Sequence, residues 1–99
     1  MITEIAILNI KENMSEQFEI NFKLASKIIS SMKGYIDHQL LKNIEKENKY
    51  FLIVKWETLA DHTEGFRKSD EYLEWKRLLH HFYDPFPNVE YYTNRELDA

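Results

Sequence analysis

Residues 58–92, TLADHTEGFRKSDEYLEWKRLLHHFYDPFPNVEYY, hold the pattern that decides the fold. Thr58 followed three residues later by Asp61 has the form of a reciprocal helix cap. Its side-chain oxygens can accept the N–H groups that a first helical turn leaves free. A short helix is expected through Phe66 and Arg67. Ser69 then offers a fresh N-cap, with Asp70 and Glu71 in the first turn, where the helix dipole favours anions. Tyr72, Trp75, Leu79 and Phe82, with Leu78 beside them, recur at helical spacing and form an apolar stripe. Asp84, Pro85 and Pro87 stop that helix, because proline lacks the N–H needed to continue it. Val89–Thr93 reads as a short closing strand.

Upstream lies a hairpin. In residues 50–57, YFLIVKWE, Tyr50, Leu52, Val54 and Trp56 share one face, and Phe51, Ile53 and Lys55 share the other. Residues 35–44 alternate less cleanly: Tyr35, Asp37, Gln39 and Leu41 point one way, and Ile36, His38, Leu40 and Lys42 the other. Glu45–Lys49 is the polar turn between them. Further back, Asn13 and Glu16 have the form of a capping box that opens a helix. Phe18, Phe22, Ala25, Ile29 and Met32 supply its stripe, and Gly34 is placed as the C′ residue that ends it. Residues 2–10, ITEIAILNI, are nearly continuously apolar from Ile5, which predicts a strand covered on both faces.

The order is β-α-β-β-α-β, an α+β ferredoxin-like fold with a four-stranded antiparallel sheet and both helices on one face. The domain is expected to span residues 1–94, with residues 95–99 a polar tail. Large apolar residues occupy both sides of the strands, yet no segment remains to cover the second side. An apolar sheet face of that extent marks an interface. The simplest cover is a second copy, which makes a homodimer through the sheet face and a dimeric α+β barrel.

Composition narrows the function classes. The net charge is −4 with both signs interspersed, so the basic footprint of a nucleic-acid binder is missing. With no cysteine there is no disulfide, thiolate metal site or thiol nucleophile. The first residues lack the basic segment of a signal peptide, and no apolar run approaches the ~18 residues of a membrane span. A cytoplasmic protein is the default expectation. The aromatic share, 14%, exceeds what so small a core needs, so some of these rings are expected to line a cavity or meet a partner.

HTEGFRKSDEYLEW and LLHHFYDPFPNVEYY resemble the C-terminal half of the antibiotic-biosynthesis-monooxygenase (ABM) domain family of dimeric α+β barrels. The matching pieces are Trp56, His62, Gly65-Phe66-Arg67, Ser69, Tyr72, Trp75, Leu78-Leu79, Phe82-Tyr83 and the Pro87–Tyr92 segment. The likeness spans the whole chain by order of elements and this half by motif. It implies a monooxygenase that uses no metal, flavin or other cofactor, with a small aromatic substrate and O₂. The haem-degrading branch fits poorly. Aligned on Ser69, its tryptophan falls at Gly65 or Phe66 and its axial histidine at Lys76.

The candidate site follows from residue chemistry and this resemblance. His62 could accept a proton near neutrality, and Arg67 could hold a developing phenolate. Equally, His62 could brace the helix while Arg67 pairs with Glu64 or Glu71. Trp75 is the candidate cavity wall, and Asn9 in the first strand completes the catalytic set. Phe66, Tyr72, Phe82, Tyr83 and His38 are candidate substrate-binding residues, although the helix-borne rings could instead be ordinary core. His80 and His81 are adjacent on a helix and point about 100° apart, so they do not converge on a metal. Three functions stay open: a monooxygenase acting on a phenol or quinol, a non-catalytic small-molecule-binding or stress-associated dimer, and a purely structural dimer with no pocket. Either of the first two requires a cavity of a few hundred Å³ with His62 and Arg67 turned into it.

Overall fold

The computed structural model describes residues 1–97. Strand β1 (Ile2–Asn9), helix α1 (Ser15–Ile29), strands β2 (Tyr35–Lys42) and β3 (Lys49–Trp56), helix α2 (Asp70–Leu79) and strand β4 (Val89–Tyr92) follow in the expected order. The antiparallel sheet runs β2-β3-β1-β4, and both helices cover one face. Of the anticipated 95–99 tail, residues 98 and 99 lie outside the described residues.

The helix-side core comes from strict alternation. Tyr50, Leu52, Val54 and Trp56 of β3 are all buried, as are Glu4, Ala6 and Leu8 of β1. Phe18, Phe22, Ala25 and Ile29 of α1 pack down on them, as the helical stripe requires. Phe18 is fully buried and meets Tyr50 and Phe82 edge-on or tilted, within 6 Å. On the opposite face Ile7, Leu41 and Tyr92 are each about half exposed.

Three local expectations are corrected. Asn13 does not cap α1. It sits at φ 65 in a turn closed by Met14 N–H donating to the Lys11 carbonyl, and the helix begins at Ser15 without a side-chain cap. Asparagine serves left-handed turn positions as readily as caps, and here the turn wins. Gly34 does have a positive φ, +84, but α1 has already unwound through tighter turns at Ser31 and Met32. In β2 a bulge between Tyr35 and Asp37 breaks the alternation. Tyr35 therefore joins His38 on the helix side, its hydroxyl 2.5 Å from His38 Nδ1.

The Thr58–Asp61 cap forms reciprocally. Asp61 N–H donates to Thr58 Oγ1, and both Thr58 N–H and its hydroxyl donate to Asp61 Oδ2. The helix it opens is wound wide over Asp61–Phe66, with Arg67 N–H reaching the His62 carbonyl five residues back. Such π-type turns are rare and concentrate at functional sites. Ser69 caps α2 by accepting from Tyr72 N–H.

Candidate functional site

The site's floor is a buried carboxylic acid. Glu4 points into the helix-covered face, where its neighbours in register are Val54 on β3 and Tyr91 on β4. Trp56, one pleat diagonal to it, donates its indole N–H to Glu4 Oε1 at 2.9 Å. The wide turn after the Thr58 cap delivers His62 above the same carboxyl, with Nε2 3.4 Å from Oε1. Tyr91 completes the chain, its hydroxyl 2.7 Å from His62 Nδ1. A neutral imidazole has one donor and one acceptor nitrogen. Here Nε2 faces Glu4 and Nδ1 faces the Tyr91 hydroxyl, so both ring nitrogens are directed at protein groups.

Burial separates the two titrations. It pushes the Glu4 carboxyl up to about 7, against the opposing Trp56 hydrogen bond and the positive charge of Arg67. It pushes His62 down to about 4, helped by Arg67. At neutral pH the histidine is therefore uncharged and the acid is poised between its two forms.

Above this floor is a cavity walled by Phe66, Tyr72, Trp75 and Tyr83, with Arg67, His80 and Phe86 toward solvent. Phe66 lies edge-on to both Tyr72 and Trp75. Burial raises the pKa of Tyr72 and Tyr83, so both hydroxyls stay protonated, and it lowers His80 to about 4. The cavity measures about 50 Å³, well short of the few hundred expected, because the walls' own rings fill it. Phe86, 61% exposed and edge-on to His80 at 4.9 Å, stands at the mouth. Phe86 and Pro87 also border a larger open trough of about 540 Å³ on the uncovered sheet face.

The structure brings together His62, Arg67, Trp75, Phe66, Tyr72 and Tyr83. It separates three others. Asn9 shares the parity of Ile5 and Ile7 and lines the trough on the far side of the sheet, so it cannot act with His62. Phe82 is fully buried against Phe18 and belongs to the core. His38 is bonded to Tyr35 and packs on Phe22 at 5.9 Å, away from the cavity lining. Arg67 takes neither anticipated partner. It is Lys68 that pairs with Glu64, while Arg67 has no ion pair among the described residues. His80 and His81 diverge, one at the mouth and the other stacked on Phe82. Glu4, Trp56 and Tyr91 went unread as site residues. Their signal was a single carboxylate in the otherwise apolar series Glu4, Ala6, Leu8.

The model of the family described as antibiotic biosynthesis monooxygenase matches residues 1–78. The uncharacterized protein YczJ of Bacillus subtilis (strain 168) is 59% identical over 94 residues, covering 95% of this chain and 99% of that protein. A candidate antibiotic biosynthesis monooxygenase from Bordetella bronchiseptica superposes with a TM-score of 0.90 at 27% identity, covering 96% of this chain and 97% of that one. SnoaB, a cofactor-independent oxygenase from Streptomyces nogalater, superposes with a TM-score of 0.85 at 18% identity, covering 97% and 94%. At that identity the likeness to SnoaB is one of fold. No helix among the described residues is long and apolar enough to cross a membrane.

Proposed function

The chain belongs to the antibiotic biosynthesis monooxygenase family, and from that premise we propose that it oxidises a phenolic or quinol-type aromatic with dioxygen and no cofactor. One observation carries this reading: a titratable acid, a neutral histidine and an arginine without an ion pair among the described residues converge on a cavity walled by aromatic rings. A phenol deprotonated there becomes an electron-rich phenolate that can itself reduce O₂. Conversion of a phenol to a quinone gives up four electrons, one oxygen atom enters the ring and the other leaves as water. SnoaB, which shares this fold, is a cofactor-independent oxygenase.

A ring does not fit the cavity as it stands, since a benzene-sized void is about 150 Å³. Phe86 and Arg67, the exposed groups at the mouth, must swing outward to admit it. The small volume counts equally against both ligand-holding readings and favours a purely structural dimer with no pocket, and oxygen uptake tests the enzyme reading against it. With a panel of hydroquinones the wild type is expected to consume oxygen. Arg67→Ala is expected to lower kcat/KM about 10²–10³-fold, the usual loss of one anion-stabilising donor. Oxygen uptake by the wild type with none of the panel would overturn the enzyme reading.

A second copy over the open face completes the assembly. Ile7, Leu41 and Tyr92 are too exposed there for a lone subunit, and the trough beside them shares Phe86 with the cavity mouth. Light scattering should give twice the mass of one chain. Leu41→Asp, which places a charge on that face, should halve it. A wild-type monomer at micromolar concentration would remove the dimer.

A further inference from the structure

We propose that Glu4 is the proton acceptor for the substrate hydroxyl, and that His62 and Tyr91 are positioning residues that aim it. The proposal rests on the functional reading above and assigns its base.

Geometry selects Glu4 over His62. Both protein contacts to the carboxylate go to Oε1, from Trp56 and His62. Oε2 has no protein partner among the described residues, yet no buried polar side-chain atom there is orphaned. Oε2 therefore opens onto the cavity that Glu4 lines. His62, 3% exposed, directs one nitrogen at Glu4 and the other at Tyr91, so neither is turned to a ligand in the cavity.

The remaining titratable groups around the cavity do not compete. The hydroxyls of Tyr72, Tyr83 and Tyr91 are all held protonated by burial. His80, lowered to about 4 by burial and by Lys76 and Arg67, is a much weaker base than a carboxylate titrating at about 7. A general base works best when its pKa lies near the operating pH. Among the described lining residues Arg67 brings the one fixed positive charge, suited to the oxygen that loses the proton.

In the step itself the substrate O–H bond breaks and its electron pair stays on the substrate oxygen. The proton goes to Glu4 Oε2, and the carboxylate becomes a neutral carboxyl. Dioxygen is the electron acceptor, and the proton returns from Glu4 to the water that leaves.

The test joins turnover to binding. Oxygen uptake with hydroquinone should show kcat/KM rising with pH along an acid limb near 7. Glu4→Gln should lower the rate about 10²–10⁴-fold and abolish the limb. The limb should persist in His80→Gln, whatever its rate. Binding of phenol and of its methyl ether can be followed by tryptophan emission, because both tryptophans border this site. Phenol should bind more tightly as pH passes 7 in the wild type but not in Glu4→Gln, and the ether should show no such change in either. If hydroquinone is consumed and Glu4→Gln keeps both rate and limb, the assignment of Glu4 is overturned while the enzyme reading stands. If the wild type neither binds nor oxidises any of these compounds, both fall.

Discussion

Glu4→Gln is expected to be more stable than the wild type above pH 7, by about 3 kcal/mol, while the two are similar near pH 5. The wild-type carboxyl titrates at about 7 when folded, against an ordinary value of 4.5. The folded state's preference for the neutral acid contributes stability that is complete below 4.5 and lost as pH rises through 7. Glutamine keeps the acceptor for Trp56 and never ionises, so it escapes that loss. His62 behaves oppositely. Its folded value of about 4 lies below the ordinary 6.5, so its contribution is present above 6.5 and lost as pH falls through 4. Between 4.5 and 6.5 the two slopes oppose and cancel. The wild type should therefore show a plateau in that window and decline on both sides. Glu4→Gln should climb to pH 6.5 and then hold. Denaturant unfolding at pH 4, 5.5, 7 and 8.5 reads this directly, and parallel curves for the two proteins would refute it. A gain in stability together with a loss of turnover is the trade expected of a buried functional acid.

Gly34→Ala is expected to cost about 2–5 kcal/mol and to disturb the site from a distance. Gly34 has φ +84, where an L side chain is disfavoured by about 1–2 kcal/mol. A Cβ there would also fall 2.2 Å from Asp61 Cγ and Oδ2, and 2.6 Å from Asp61 Cβ. Because Asp61 Cβ is involved, rotating the carboxylate is not enough, and the resulting adjustment costs about 1–3 kcal/mol more. The clash has functional reach. Asp61 holds the Thr58 cap, the capped turn delivers His62, and the Gly34 carbonyl accepts from Glu57 N–H at 2.7 Å. Thermal unfolding should drop by ~10 °C or more for a domain of this size. The link between Glu4 and His62 should loosen as well, moving the Glu4 titration. A variant within 0.5 kcal/mol of the wild type would show that this contact carries no weight.

Much of the architecture was legible because its signals were local. The alternation of Tyr50, Leu52, Val54 and Trp56 fixed the buried face of β3, and the Thr58 and Ser69 caps placed the starts of the wide turn and of α2. Asn13 misled because one side chain suits a cap and a left-handed turn equally well. His38 and Tyr35 depended on a bulge, which leaves no mark on composition. The candidate site was half legible. His62, Arg67 and Trp75 stood out by chemistry and by likeness to a family. Glu4 did not, because one acid in an apolar strand reads as noise until register sets Tyr91 and Val54 beside it and Trp56 diagonally across. The volume of the cavity depends on how Phe66, Trp75 and Phe86 pack together, and no spacing rule encodes that.

The buried acid is open to direct observation by carboxyl-carbon NMR on protein labelled at glutamate, titrated from pH 3 to 9, with Glu4→Gln to identify the resonance. One glutamate titrating near 7 in the wild type and missing from the variant is the expected result. A Glu4 resonance that titrates at the ordinary glutamate value of 4.5 would contradict it and leave the cavity without its base.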